Sequence, residues 1–227
     1  MNPLLRASRY ASAYFGLERL KQKADSLVDQ PAELAALMFH DSANVLAPRQ
    51  VPEELASLLK EVRSLRPCTV LEIGTDRGGT LFLWMRLADP HATVVSIDLP
   101  GGKFGGGYGP LRERLYRRFP ANGQILHLLR LDSHQVSTLE HAKQLFGGGQ
   151  IDFLFIDGDH TYEGIQQDWE MYSPLVRAGG MIVFHDVAGN YEDTQVKRFW
   201  DTVKPHFRHS EYIADPGGRF GIGVIYK

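Results

Sequence analysis

Val70-Leu71-Glu72-Ile73-Gly74-Thr75-Asp76-Arg77-Gly78-Gly79-Thr80 opens as a short apolar run and turns through glycines into a helical pattern. The apolar run reads as a buried strand. Gly74, Gly78 and Gly79 let backbone approach a ligand closely, or simply close a tight strand-to-helix turn. Either way the unit is a strand followed by a helix, and the chain repeats it.

Outward from this turn, β-branched or aromatic runs at Thr69–Ile73, Thr93–Ile97, 124–129, 152–156 and 181–184 alternate with helical stretches beginning near Thr80, Pro110, Val136 and Tyr162. Right-handed crossovers then place helices on both faces of a parallel sheet. After a helix over 193–203, extended runs at 209–214 and 220–226 flank Asp215-Pro216-Gly217-Gly218, a turn sequence that joins antiparallel neighbours. The expected fold is α/β: a doubly wound sheet of seven strands, five of them parallel, closing in an antiparallel C-terminal hairpin.

Upstream, Pro52 opens a helix that carries Leu55, Leu58, Leu59, Val62 and Leu65 at helical spacing. Residues 2–46 give two or three further helical stretches, with Leu17, Leu20, Leu27, Leu34, Leu37 and Met38 as apolar positions. The expected division is a helical N-terminal cap segment over 1–50 and one main domain over 51–227.

A chain of 227 residues with 43% hydrophobic content can bury one sizeable core. The formal charge of −2, from 25 basic and 27 acidic side chains, supplies no field that would gather nucleic acid or an anionic membrane. The single cysteine, Cys68, has no disulfide partner, is expected to lie buried at a strand edge, and belongs to no zinc-spaced cluster. Arg6, Arg9 and Arg19 alternate with Ser8, Ser12 and Gly16, without the long apolar core of a signal peptide or a membrane span. A reducing cytoplasm is the expected location.

In a doubly wound sheet the ligand lies beyond the carboxyl ends of the strands, where strand order reverses, which is where Gly74, Thr75, Gly78 and Gly79 should sit. Asp98 follows the strand Val94-Val95-Ser96-Ile97, twenty residues after Gly78, where an acid accepts hydrogen bonds from ribose hydroxyls; Leu99 adjoins it. The turn does not spell G-x-G-x-x-G, because Asp76 holds the second glycine position. A pyrophosphate would meet that carboxylate and find Glu72 nearby, whereas a ligand bearing an ammonium and a sulfonium is compatible with both. The chemistry favours S-adenosylmethionine over a nicotinamide dinucleotide.

The E-I-G-T-x-x-G-G turn, Asp98, Phe155-Ile156-Asp157-Gly158-Asp159-His160 and Gly179-Gly180-Met181-Ile182-Val183-Phe184-His185-Asp186 together resemble class I S-adenosylmethionine-dependent methyltransferases. More narrowly, the stretch 51–227 is similar to the bacterial group related to cephalosporin hydroxylase-type and sugar O-methyltransferases. The resemblance implies a Rossmann-like fold and makes 51–227 the S-adenosylmethionine-binding methyltransferase domain. It also implies that Asp132 contacts the adenine amino group, with Ser133 beside it. The residue-level alternative for Asp132 is a cap on the helix beginning near Val136.

Methyl transfer to a hydroxyl needs alignment and a base. Asp157, Asp159 and His160 end one strand, and His185 and Asp186 end the next, so both groups project towards the crevice. His160 is the candidate general base, with Asp157 and His185 beside it. The resemblance makes Asp157 and Asp186 candidate ligands for a divalent metal, magnesium or manganese, and His185 beside Asp186 is a third candidate. The histidine departs from the all-oxygen sets that magnesium prefers. The alternative reading has Asp157 closing its strand and capping the helix near Tyr162, with His185 packing beneath the cofactor.

The glycine-rich loop 99–109 reads as a lid in which Phe104 and Tyr108 close on the ligand, or as a mobile surface loop. Arg112, Arg114, Arg117 and Arg118 read as a solvated helix face, and Trp169, Tyr172 and Trp200 as packing. The expected acceptor is a small hydroxylated molecule, a sugar or a natural product, with neither nucleic acid nor membrane as partner. The N-terminal helices are placed to cover that acceptor or to join a homo-oligomer. The competing functions are a nicotinamide-dependent oxidoreductase, a non-catalytic S-adenosylmethionine-binding protein, and a hydroxylase-like protein whose His-Asp pair holds iron.

Overall fold

The computed structural model describes residues 3–40, 45–102, 104, 107–189, 191–192 and 194–227, apart from the side chains of residues 3–8 and 40. Asn2, Lys103, Gly105, Gly106 and Asp193 of the expectations above, with the side chains of Arg6 and Ser8, lie outside the described residues. The N-terminal helices are α1 (Pro3–Asp25), α2 (Pro31–His40) and α3 (Pro52–Leu65), each opening on a proline whose missing N–H a first turn does not need. Then follow β1 (Thr69–Ile73), α4 (Gly79–Leu87), β2 (Thr93–Ile97), α5 (Pro110–Tyr116), β3 (Ile125–Leu129), α6 (Val136–Leu145), β4 (Ile151–Ile156) and α7 (Tyr162–Tyr172). The chain finishes with β5 (Val176–His185), α8 (Val196–Val203), β6 (Arg208–Tyr212) and β7 (Ile222–Tyr226).

The seven strands form one sheet in the order β3-β2-β1-β4-β5-β7-β6. β7 runs antiparallel to both β5 and β6, and the other neighbouring pairs are parallel. Strand order reverses between β1 and β4, so the crevice of this Rossmann-like sheet opens there. β5 is longer than the apolar run that announced it. Val176 already pairs with Ile151, and the strand continues through Gly179 (φ +77°), whose N–H donates to Lys227 O at 2.7 Å.

Alternation along each strand divides the core in two. Val70, Val94, Phe153, Phe155 and Val183 pack with α3, α4 and α5 on one face, while Leu71, Val95, Leu154, Ile182 and Phe184 pack with α6, α7 and α8 on the other. Leu17, Ala24, Leu34, Leu37 and Met38 of α1 and α2 are buried in the first of these clusters, so the N-terminal helices add a layer to the same core. Trp200 is wholly buried, and Trp169 packs against Phe184, Phe199 and Phe207, as the sequence led us to expect.

Two expectations are corrected. Arg112 of α5 and Arg118 just beyond it seat α1, while Arg114 and Arg117 are exposed as expected: Arg118 lies over the Tyr14 ring at 4.3 Å and donates to Tyr14 O at 2.6 Å, and Arg112 donates to the Tyr10 hydroxyl. Guanidinium groups lie flat on aromatic rings while keeping their N–H groups paired. Cys68 is exposed, because it precedes the first buried residue of β1, and its N–H is held by Asp152 Oδ2 at 2.6 Å.

Candidate active site

The ends of β1 and β4 touch through Gly74. Its φ is +89°, and a Cβ there would stand 2.0 Å from Asp157 O, so a side chain at this position would force the two strand ends apart. Gly79 owes its identity to a second close approach: a Cβ would stand 2.1 Å from Leu46 O. The segment 45–50 therefore lies directly over the first turn of α4.

A cavity of about 620 Å³ occupies the crevice. Of the expected cofactor residues, Gly74, Thr75, Gly79, Asp98 and Leu99 line it, as do Asp132, Ser133 and Asp157. His160, His185 and Asp186 line its other end. Gly78 and Glu72 do not line it. Gly78 faces the Tyr116 ring. Glu72 is wholly buried on the α4 side of β1, where its carboxylate accepts from Trp84 Nε1 and Thr75 Oγ1, each at 2.9 Å. Burial raises its pKa to about 8 against the hydrogen bonds of Thr80, Thr75 and Trp84. Strand alternation explains the difference, since Glu72 points away from the face of Leu71 and Ile73.

Asp98 spans the turn and the loop after β2. Its Oδ2 accepts from Asp76 N at 3.1 Å and its Oδ1 from Gly107 N at 2.8 Å, and burial raises its pKa. Asp132 accepts from His134 N at 2.9 Å and from Gln135 Nε2 at 3.1 Å, so it shapes its own turn and does not cap α6. α7 supports that turn from below: Tyr172 donates to Ser133 O at 2.7 Å, and the buried Asp168 lies 3.3 Å from His134 Nε2. In the loop 99–109, Phe104 stacks on His160 with ring centres 5.0 Å apart. Tyr108 is only 1% exposed and packs edge-on against Tyr116, so it is a core residue and not part of a lid.

At the other end, carboxylates and imidazoles alternate. Asp157 Oδ1 lies 3.2 Å from His185 Nδ1 and 3.5 Å from His160 Nε2, while Asp186 lies 3.2 Å from His160 Nδ1 and 3.2 Å from His185 Nδ1. Burial opposes charge on His185, but Asp157 and Asp186 outweigh it and push its pKa up to about 9. His160 is raised likewise: its pairing with the same two acids prevails over burial. Asp157 is held below the ordinary carboxylate range, its burial overcome by the charge of His185 and by hydrogen bonds from both histidines. The cap of α7 is Thr161, which accepts from Gly164 N at 3.0 Å, so Asp157 does not fill that role.

Among the described residues, no three histidine, cysteine or carboxylate side chains converge as a set that could hold a metal ion. Asp157, His185 and Asp186 are engaged in charge pairs with one another and with His160. A hard divalent cation takes oxygens, and here the His185 ring nitrogen lies between the two carboxylates, 3.2 Å from each. The arrangement as it stands does not fit magnesium.

Arg49, Gln50, Thr194, Arg219 and Phe220 also line the cavity, unforeseen in the sequence. They belong to connecting segments far apart in the chain and carry no motif, so only the fold brings them to the strand ends.

Residues 71–187, just over half of the chain, match the family described as a methyltransferase domain. The protein belongs to that family. Among curated relatives, an uncharacterized protein y4gI of Sinorhizobium fredii is 26% identical over 143 residues, covering 61% of this chain and 15% of its own length. The uncharacterized protein R132 of Acanthamoeba polyphaga mimivirus is 32% identical over 126 residues, covering 52% of this chain and 51% of its own. The match thus spans less than a sixth of the first relative and about half of the second. The solved O-methyltransferase of Bacillus cereus, in complex with S-adenosylhomocysteine, has a similar fold: TM-score 0.54 and 19% identity over 89% of this chain and 91% of that one.

Proposed function

We propose that this protein transfers the methyl group of S-adenosylmethionine to a hydroxyl oxygen of a small acceptor, with 51–227 as the catalytic domain. The observation that carries this reading is a single cavity with two different ends. Asp98 and the turn 132–133 line one end with groups that take a nucleoside, and the His160 cluster lines the other with a base. Binding of S-adenosylhomocysteine by the Bacillus cereus protein of similar fold supports the same cofactor.

The strand order sets the course of the cofactor. β3, β2 and β1 are neighbours, so adenine lies by Asp132, ribose by Asp98, and the sulfonium beyond Gly74. The sulfonium end then faces Asp157 and His160, beyond the adjacent end of β4. Transfer is an in-line displacement: the acceptor oxygen forms the new bond to the methyl carbon as the sulfur–carbon bond breaks, and S-adenosylhomocysteine leaves. His160 takes the hydroxyl proton on Nε2, whose 3.5 Å contact with Asp157 is the looser of its two carboxylate contacts. Asp186 holds Nδ1 and balances the imidazolium that forms, which is the role of the acid in a triad. His185 adds positive charge beneath the acceptor oxygen, and its buried Nε2 has no hydrogen-bond partner among the described residues. No step passes through a metal.

Calorimetric titration with S-adenosylhomocysteine and with NAD, on the natural chain and on Asp98→Ala, tests the proposal. Micromolar binding of S-adenosylhomocysteine that weakens at least tenfold in the variant is the expected result. Binding of NAD alone would overturn it.

A further inference from the structure

The segment between α2 and α3 lies outside the region matched by the family, yet its last residues form one wall of the cavity. Gln50 is 7% exposed, lines the cavity, and its Oε1 is buried with no hydrogen-bond partner among the described residues. Leaving such an acceptor unpaired is costly, so its position calls for a donor that the described residues do not supply. Arg49, beside it, pairs through Nε with Asp76 Oδ2 at 3.1 Å. Asp76 sits at the crest of the glycine turn with φ +42°. The Nη end of the guanidinium carries the planar fork that matches a carboxylate.

The strap is fixed where it stands. Leu46 O and Pro48 Cδ would lie 2.1 and 2.9 Å from a Cβ at Gly79, so the strap is pressed onto the first turn of α4. At its other end Val51 leads into α3, whose buried Glu54 accepts from Ala214 N at 2.8 Å and Gly221 N at 2.9 Å. A polar pair held rigidly against the glycine turn is built to meet a small charged group.

We infer that Gln50 and Arg49 hold the amino-acid tail of the cofactor, Gln50 Oε1 accepting from its α-ammonium and Arg49 donating to its α-carboxylate. The inference rests on the S-adenosylmethionine reading of the cavity and adds to it the N-terminal segment. With adenine by β3 and ribose by β2, the tail reaches the end of β1, and the strap is the wall it meets there. Gln50 and Arg49 are positioning residues: they fix the sulfonium relative to His160 by anchoring the far end of the same ligand.

The test compares S-adenosylhomocysteine with 5′-methylthioadenosine, which keeps adenosine and sulfur but has no amino-acid tail. Calorimetry on the full chain measures both ligands against the natural protein, Gln50→Met and Arg49→Ala. Each variant is expected to weaken S-adenosylhomocysteine about tenfold or more and to leave 5′-methylthioadenosine within twofold. Arg49 is largely exposed, so its variant keeps the test open should Gln50→Met fail to fold. Equal weakening of both ligands would make the strap a structural prop and overturn the inference. So would an unchanged affinity for S-adenosylhomocysteine in both variants. If the natural protein binds neither nucleoside, the cofactor reading itself fails, which is a separate result.

Discussion

Trp84 Nε1 donates to Glu72 Oε1 at 2.9 Å beneath the glycine turn, inside a core that admits no solvent to the carboxyl group. Burial raises Glu72 to about 8, above its ordinary 4.5. Between these values the unfolded chain gives up a proton that the folded chain keeps. Stability is therefore expected to fall as pH rises from 4.5 to about 8, by up to about 1.4 kcal/mol per pH unit. Glu72→Gln, which keeps the carbonyl acceptor for Trp84 and cannot ionise, should flatten that slope. Urea midpoints at pH 5 and pH 8 for both proteins provide the check.

His160 stands between two carboxylates that hold its proton. Methyl transfer is expected to rise with pH through an inflection above 6.5, the ordinary histidine value, because only the neutral imidazole accepts the acceptor's proton. His160→Ala should lower kcat by roughly 10²–10⁴-fold while leaving S-adenosylhomocysteine affinity nearly unchanged. Single-turnover rates across pH 5.5–9.5, together with binding isotherms, separate the two effects; a variant with an unaltered pH profile would remove His160 from the role of base.

Gly79→Ala places a methyl group against the backbone carbonyl of Leu46. Backbone cannot swing aside as a flexible side chain does. A loss of on the order of 1–3 kcal/mol is expected, the range for overpacked sites, with a lower melting temperature.

Chelation should be without effect. The histidines supply the positive charge that the acids of this cluster need, so dialysis against EDTA is expected to leave turnover and S-adenosylhomocysteine affinity within twofold. A tenfold drop restored by manganese or magnesium would show that Asp157, His185 and Asp186 act as ligands.

Arg118→Ala removes a guanidinium that lies on Tyr14 and pairs with Glu18 at 3.1 Å. α1 should loosen from α5. The cation–π contact alone accounts for about 0.5–1 kcal/mol at a partly exposed site. Faster amide exchange over 9–25, with the sheet unchanged, is the expected signature.

Local patterns carried much of this molecule. Period-two runs, glycine punctuation and proline starts are written in consecutive residues, so the strand–helix alternation, the terminal hairpin and the acids at the strand ends could be read directly. Asp98, Asp132, Asp157 and His160 were legible for the same reason: each follows a strand, and every parallel strand ends on the same side of the sheet. What needed the tertiary structure were contacts between distant segments. Which side Glu72 faces depends on α4 lying over β1. Whether Arg112 and Arg118 meet water depends on α1 covering them. Gly79 lines the cavity as its place in the turn suggests, but its contact with Leu46 is visible only in the fold. The wall formed by Arg49 and Gln50 depends on chain crossing, which no spacing along a sequence records, because side chains meet there only after the hydrophobic core has drawn the segments together.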